Sequence, residues 1–102
     1  MEKRKPQYNL KAVQKVVEDP KSRPFTVTAL NGGLALGLTE KGMRQVVCLL
    51  TRKDFYKSMT VLSDRRVWQD VYHGTAPDGT KVYIKITWHE DDRPPVIQFK
   101  EK

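Results

Sequence analysis

Apolar positions recur with a helical period in the first half of the chain and alternate in the second half. Leu10, Val13 and Val17 fall on one face of a helix that Asn9 can cap, and Asp19-Pro20 ends it because the residue before a proline avoids the helical region. After a polar connector from Lys21 to Pro24, Thr26 caps a second helix with Val27, Leu30 and Leu34 as its apolar side. Gly32-Gly33 counts against that helix by about 1 kcal/mol per glycine relative to alanine. Thr39 opens a third, in which Met43, Val46, Val47 and Leu50 follow the i, i+3, i+4, i+7 pattern.

Beyond Leu50 the period changes. Phe55 to Thr60 and Val67 to Tyr72 read as strands, and Ala76-Pro77-Asp78-Gly79 as a turn. In the strand Lys81 to Trp88, Val82, Ile84, Ile86 and Trp88 take one face while Lys81, Tyr83, Lys85 and Thr87 take the other. A polar loop from Glu90 to Pro95 leads to a last strand, Val96 to Lys100, where Ile97 and Phe99 oppose Gln98 and Lys100. Helices followed by strands predict an α+β fold with helices on one face of a mainly antiparallel sheet. The 102 residues suit a single domain over 1–102.

Charge adds to this picture. Nineteen Lys and Arg against twelve Asp and Glu give a formal charge of +7, a field that attracts polyanions. Charge nominates nucleic acid or an acidic protein partner without choosing between them. No apolar run is long enough to span a membrane and the N-terminus lacks a signal core, which predicts a soluble, cytoplasmic protein. The lone Cys48, inside an apolar helical pattern, reads as a small buried hydrophobe and excludes an intrachain disulfide.

Phosphate loops, zinc motifs and nucleophile elbows are absent from the sequence, so neither metal nor cofactor is expected. His73 and His89 read as surface histidines at strand ends. What remains is a polar sheet face. Alternation places Lys57 on the side of Phe55 and Met59, Tyr83 with Lys85, and Gln98 with Lys100. Gln69 shares its side with Val67 and Val71, so the pattern leaves its face open. Each alone could be a solvated strand residue or a lysine that discourages edge pairing. Together they can serve RNA cleavage, which needs a 2′-hydroxyl deprotonated, phosphorane charge stabilised and a leaving oxygen protonated. Aromatics among them can stack on unpaired bases.

Several blocks resemble the MqsR toxins: Met1-Glu2-Lys3-Arg4, Phe55-Tyr56-Lys57-Ser58-Met59-Thr60, Trp68-Gln69-Asp70-Val71-Tyr72, Val82-Tyr83-Ile84-Lys85-Ile86-Thr87 and Phe99-Lys100-Glu101-Lys102. They run from the first residue to the last. The resemblance implies the curved sheet of RelE-like ribonuclease toxins. It also implies ribosome-independent cleavage of single-stranded mRNA, preferentially at GC-containing sites, and neutralisation by a zinc-containing MqsA-type antitoxin. Family active-site positions fall on Lys57, Gln69, Tyr83 and Lys100, with Met59 in a matched block; Lys85 and Gln98 join them as substrate-binding candidates. Lys57 and Lys100 would bind phosphate, and either could accept the 2′-hydroxyl proton if its pKa is depressed. Tyr83 would donate a proton or stack on a base, and Gln69 would position phosphate or base. The loop His73 to Thr80, the turn Asp91 to Pro95 and most of the second helix depart from the family pattern, which leaves base preference and antitoxin contact open. The competing expectations are a non-catalytic RNA- or ribosome-binding module of the same fold, which would bind RNA without cutting it, and a protein-interaction domain whose basic face meets an acidic partner.

Overall fold

The computed structural model describes residues 1–89 and 92–102; Glu90 and Asp91 of the expected polar loop lie outside the described residues. After a short N-terminal strand come three α-helices among these residues: α1 (Leu10–Glu18), α2 (Val27–Ala35) and α3 (Glu40–Cys48). Their N-caps are those the sequence predicts. Asn9, Thr26 and Thr39 accept from the backbone N–H groups of Ala12, Ala29 and Gly42 at 3.0 Å each, satisfying donors that a helix start leaves unpaired. A 3₁₀ turn, Arg52–Asp54, leads into the sheet.

The sheet has five strands in the order β1 (Glu2–Lys3), β2 (Phe55–Val61), β3 (Asp64–Thr75), β4 (Lys81–Thr87) and β5 (Val96–Glu101), every neighbour antiparallel. The two-residue β1 was not expected. The Asp70 carboxylate, 1% exposed, accepts from the Gln7 and Tyr8 N–H groups at 2.9 Å and so ties the N-terminal segment to β3. The expected turn after β3 closes with Gly79 at φ +90°, where only glycine is unstrained, its N–H donating to the Ala76 carbonyl at 2.9 Å.

Alternation sends Tyr72, Val82, Ile84, Ile86, Ile97 and Phe99 toward the helices, where they form one core with Val13, Val17, Met43, Val46, Val47 and Leu50. The helix side also buries one cation. Arg44 donates to the Val17, Asp19 and Ser22 carbonyls, to Ser22 Oγ and to Glu40 Oε2, all between 2.6 and 2.9 Å. Cys48 ends α3 half-buried, and burial pushes its thiol pKa up, as suits a packing residue.

Two expectations are corrected. Helix α2 exists, but Val27 and Leu34 are 76% and 72% exposed, Leu30 is half-buried, and the buried residues are Ala29 and Gly33. The glycines are the reason: a Cβ on Gly32 would collide with the Phe99 carbonyl oxygen, and one on Gly33 with the Met43 side chain. Close approach to β5 and α3 therefore selects the small-residue side and turns the larger apolar side outward. The second correction is Phe55, which does not share a face with Lys57. A register irregularity between Phe55 and Lys57 puts Phe55 opposite Tyr72, with ring centroids 5.4 Å apart, against the core.

Candidate functional site

The sheet face turned away from the helices carries the predicted site. Cross-strand partners lie on the same face, so the registers decide membership. Lys57 pairs with Val71, Val71 with Lys85, and Lys85 with Gln98, which makes one row across four strands. By the usual strand spacing of about 4.8 Å the ends of that row stand about 14 Å apart. Val71 is its dry floor, 3% exposed. One step along the strands, His73, Tyr83 and Lys100 form a second row. One step the other way, Gln69 pairs with Met59. Gln69, whose face alternation left open, thus joins Lys57, Met59, Tyr83, Lys85, Gln98 and Lys100. All seven predicted residues share one face, spread as a band rather than a point. Beyond the lysine row, Met59, Gln69 and Gln98 help to line a hollow of about 620 Å³ together with Met1 and Glu2.

The irregularity in β2 has a local consequence. An extra residue in one strand re-aims its side chains. Here Tyr56 reaches the outer face beside Lys57, stacking on His73 with centroids 4.6 Å apart and planes 29° apart. His73 in turn meets Tyr83 edge-on at 5.1 Å. His73 is not the surface histidine that the sequence suggested. Its Nε2 is buried with no hydrogen-bond partner, and burial, aided by the charge of Lys102, holds its pKa below the ordinary value. Tyr56 lies in a block that resembles the family but is not among the candidates it nominates, and no motif marks His73. A single unpaired residue in β2 was the signal, and only the register reveals it.

Electrostatics revise the roles of the lysines. Lys57 Nζ lies 2.6 Å from the Glu2 carboxylate, which raises the lysine's pKa and lowers that of Glu2. Lys57 is therefore held as a cation, so the depressed pKa on which its role as proton acceptor depends is not found. Lys85 is the depressed one: partial burial comes first, then the charges of Lys100 and Lys57. It has no acceptor of its own among the described residues. Lys3 and Arg4 add cations at the β1 edge, Lys3 Nζ 4.2 Å from the Trp68 ring and Arg4 Cζ 5.9 Å from the Tyr56 ring. Among the described residues no three His, Cys, Asp or Glu side chains come together to hold a metal ion.

The chain is similar to known proteins along nearly its whole length. The family model described as "Motility quorum-sensing regulator, toxin of MqsA" matches residues 5–101. The mRNA interferase toxin MqsR of Escherichia coli (strain K12) is 44% identical over 102 residues, covering the whole of both chains.

Proposed function

The chain belongs to the MqsR toxin family, and from that membership we propose that its outer sheet face is the active site of a ribosome- and metal-independent endoribonuclease acting on mRNA. One observation carries the reading: the registers bring all seven candidate residues to a single face around Lys85. Lys57, a fixed cation, and Lys100 bind the scissile phosphate and stabilise the phosphorane. Lys85, its pKa lowered by burial and by its neighbours, is the lysine suited to take the 2′-hydroxyl proton. Tyr83, paired with Lys100, protonates the leaving oxygen. Gln69 and Gln98 present amides that can read base edges, which fits a preference for GC-containing sites, and Met59 packs beside them. The protein partner is an MqsA-type antitoxin, acidic where it meets a chain of charge +7. No described helix is long and apolar enough to cross a membrane.

Attack by the 2′-hydroxyl leaves a 2′,3′-cyclic phosphate and a free 5′-hydroxyl. Purified protein should produce those ends in excess EDTA, and a 2′-deoxy nucleotide immediately 5′ of the cut should stop it. Lys57→Ala and Tyr83→Phe should lower the rate by about 10²- to 10³-fold while remaining folded. Cutting of the deoxy substrate, or RNA binding that leaves no new ends, would overturn the assignment.

A further inference from the structure

His73 and Tyr56 take no part in the chemistry above, yet they are built into the same face. An aromatic pair encloses the imidazole: Tyr56 is stacked on it and Tyr83 is edge-on. Within that enclosure Nε2 is cut off from water and unpaired. Native proteins leave few buried polar atoms unpaired, because each forfeits its hydration without a return bond. Burial and Lys102 also keep the ring neutral at neutral pH, so it presents an uncharged aromatic surface.

The residue that covers it is held loosely. Tyr56 is 42% exposed and its phenol makes no hydrogen bond among the described residues. By contrast the Tyr8 phenol donates to the Trp68 carbonyl at 2.6 Å. Stacking on His73 and the nearby cations of Lys57 and Arg4, 5.3 and 5.9 Å from its ring, are what place Tyr56. A ring lying on a ring, flanked by two cations and free to swing outward, is the arrangement that an unpaired base with its phosphate would reproduce.

We propose that Tyr56 occupies the place of a nucleobase, and that single-stranded RNA displaces it and stacks one base on His73 beside Tyr83 and Lys100. This rests on the outer face being the RNA site. The platform lies one step along the strands, about 7 Å, from the Lys57–Lys85 row. That is next to the bound phosphate, where an adjoining nucleotide falls. His73 and Tyr56 are thereby substrate-positioning residues.

The test uses a 2′-O-methyl RNA hexamer, which 2′-hydroxyl attack cannot cut, and the same hexamer with its bases removed. His73→Ala should weaken binding of the intact hexamer by about tenfold, the effect of losing one stacked base, and leave the abasic strand unaffected. His73→Phe should restore most of the affinity. Tyr56→Ala should bind as tightly as the unsubstituted protein or more tightly, since a competing ring is gone. In wild-type protein, the His73 and Tyr56 ring resonances should both move on titration with the hexamer, which tests the exchange even if a variant fails to fold. Equal losses for Tyr56→Ala and His73→Ala would make Tyr56 itself the platform and overturn the proposal. Shifts at Lys57 and Lys100 without any at His73 would overturn it while leaving the RNA site standing. No binding of the hexamer to wild-type protein would overturn both.

Discussion

Strands β3, β4 and β5 present two faces built from alternate residues of the same segments, and the faces follow different rules. Toward the helices the side chains are apolar and closely packed. The cation buried on that side, Arg44, has both terminal guanidinium nitrogens engaged, by carbonyls, a hydroxyl and a carboxylate. On the outer face Lys85 is also partly buried but lies among other lysines with no acceptor among the described residues, and His73 hides an unpaired nitrogen. One face resolves its conflicts within the chain. The other leaves them open, and unresolved charge and unpaired polar atoms are what a polyanionic ligand can complete. The contrast predicts that substitutions on the two faces differ in kind.

The largest effect should come from the inner face. Phe99 is 1% exposed, contacts Phe25 edge-on and stands between the outer-face residues Gln98 and Lys100 in β5. Phe99→Ala removes a full aromatic ring from the core and should cost about 3–5 kcal/mol in urea unfolding. That is a large share of the stability of a small domain, typically about 5–15 kcal/mol. Toxicity should fall only as far as the folded fraction does, and be recovered at low temperature or in stabilising osmolyte. A Phe99→Ala protein of unchanged stability that is nevertheless inactive would erase the distinction between the faces.

The two faces were not equally legible in the sequence. The inner one was read from the 2.0 and 3.6 periods, which registered Val82, Ile84, Ile97 and Phe99 because burial imposes periodicity. It failed at α2, where Ala29 and Gly33 are buried and Val27 and Leu34 are not. Close packing selects small residues, and a reading that equates burial with apolar size inverts such a helix. On the outer face Tyr83, Lys85, Gln98 and Lys100 were placed by alternation, whereas Lys57, Gln69 and Met59 were nominated by family resemblance and located by register. Phe55 was assigned to the wrong side, and Tyr56 and His73 were missed, for one reason. An extra residue in β2 shifts the alternation, and nothing in the local composition announces it.

Lys85→Gln should affect stability and binding in opposite directions. The folded-state pKa of Lys85 lies below its ordinary value of 10.5, so the unfolded chain holds that proton more tightly. The resulting penalty is present below the folded-state pKa and fades as pH rises from there toward 10.5. Lys85→Gln should therefore raise the urea midpoint slightly at pH 7, with the advantage shrinking toward pH 10. It should also weaken single-stranded RNA and lower the slope of log affinity against log salt by about 0.7, the share of one phosphate contact. A destabilised Lys85→Gln protein with unchanged RNA affinity would mean that the lysine belongs to the structural face after all.

The smallest effect concerns Lys57, an outer-face cation whose charge is already met. Glu2 occupies Lys57 at 2.6 Å, and because both groups are solvent-accessible the pair contributes little to folding. Its consequence is competition, since a phosphate can reach Lys57 only by displacing or sharing that carboxylate. Glu2 has its pKa lowered and Lys57 has its pKa raised, so both are charged at neutral pH and the competition is complete there. Glu2→Gln should leave the urea midpoint almost unmoved while tightening a non-cleavable RNA by roughly two- to fivefold at low salt, a gain that shrinks as salt screens the attraction. The sign is the informative part. If Glu2→Gln weakens RNA binding, Glu2 positions Lys57 rather than occupying it, and the outer face is more completely organised before substrate arrives than its unpaired groups suggest.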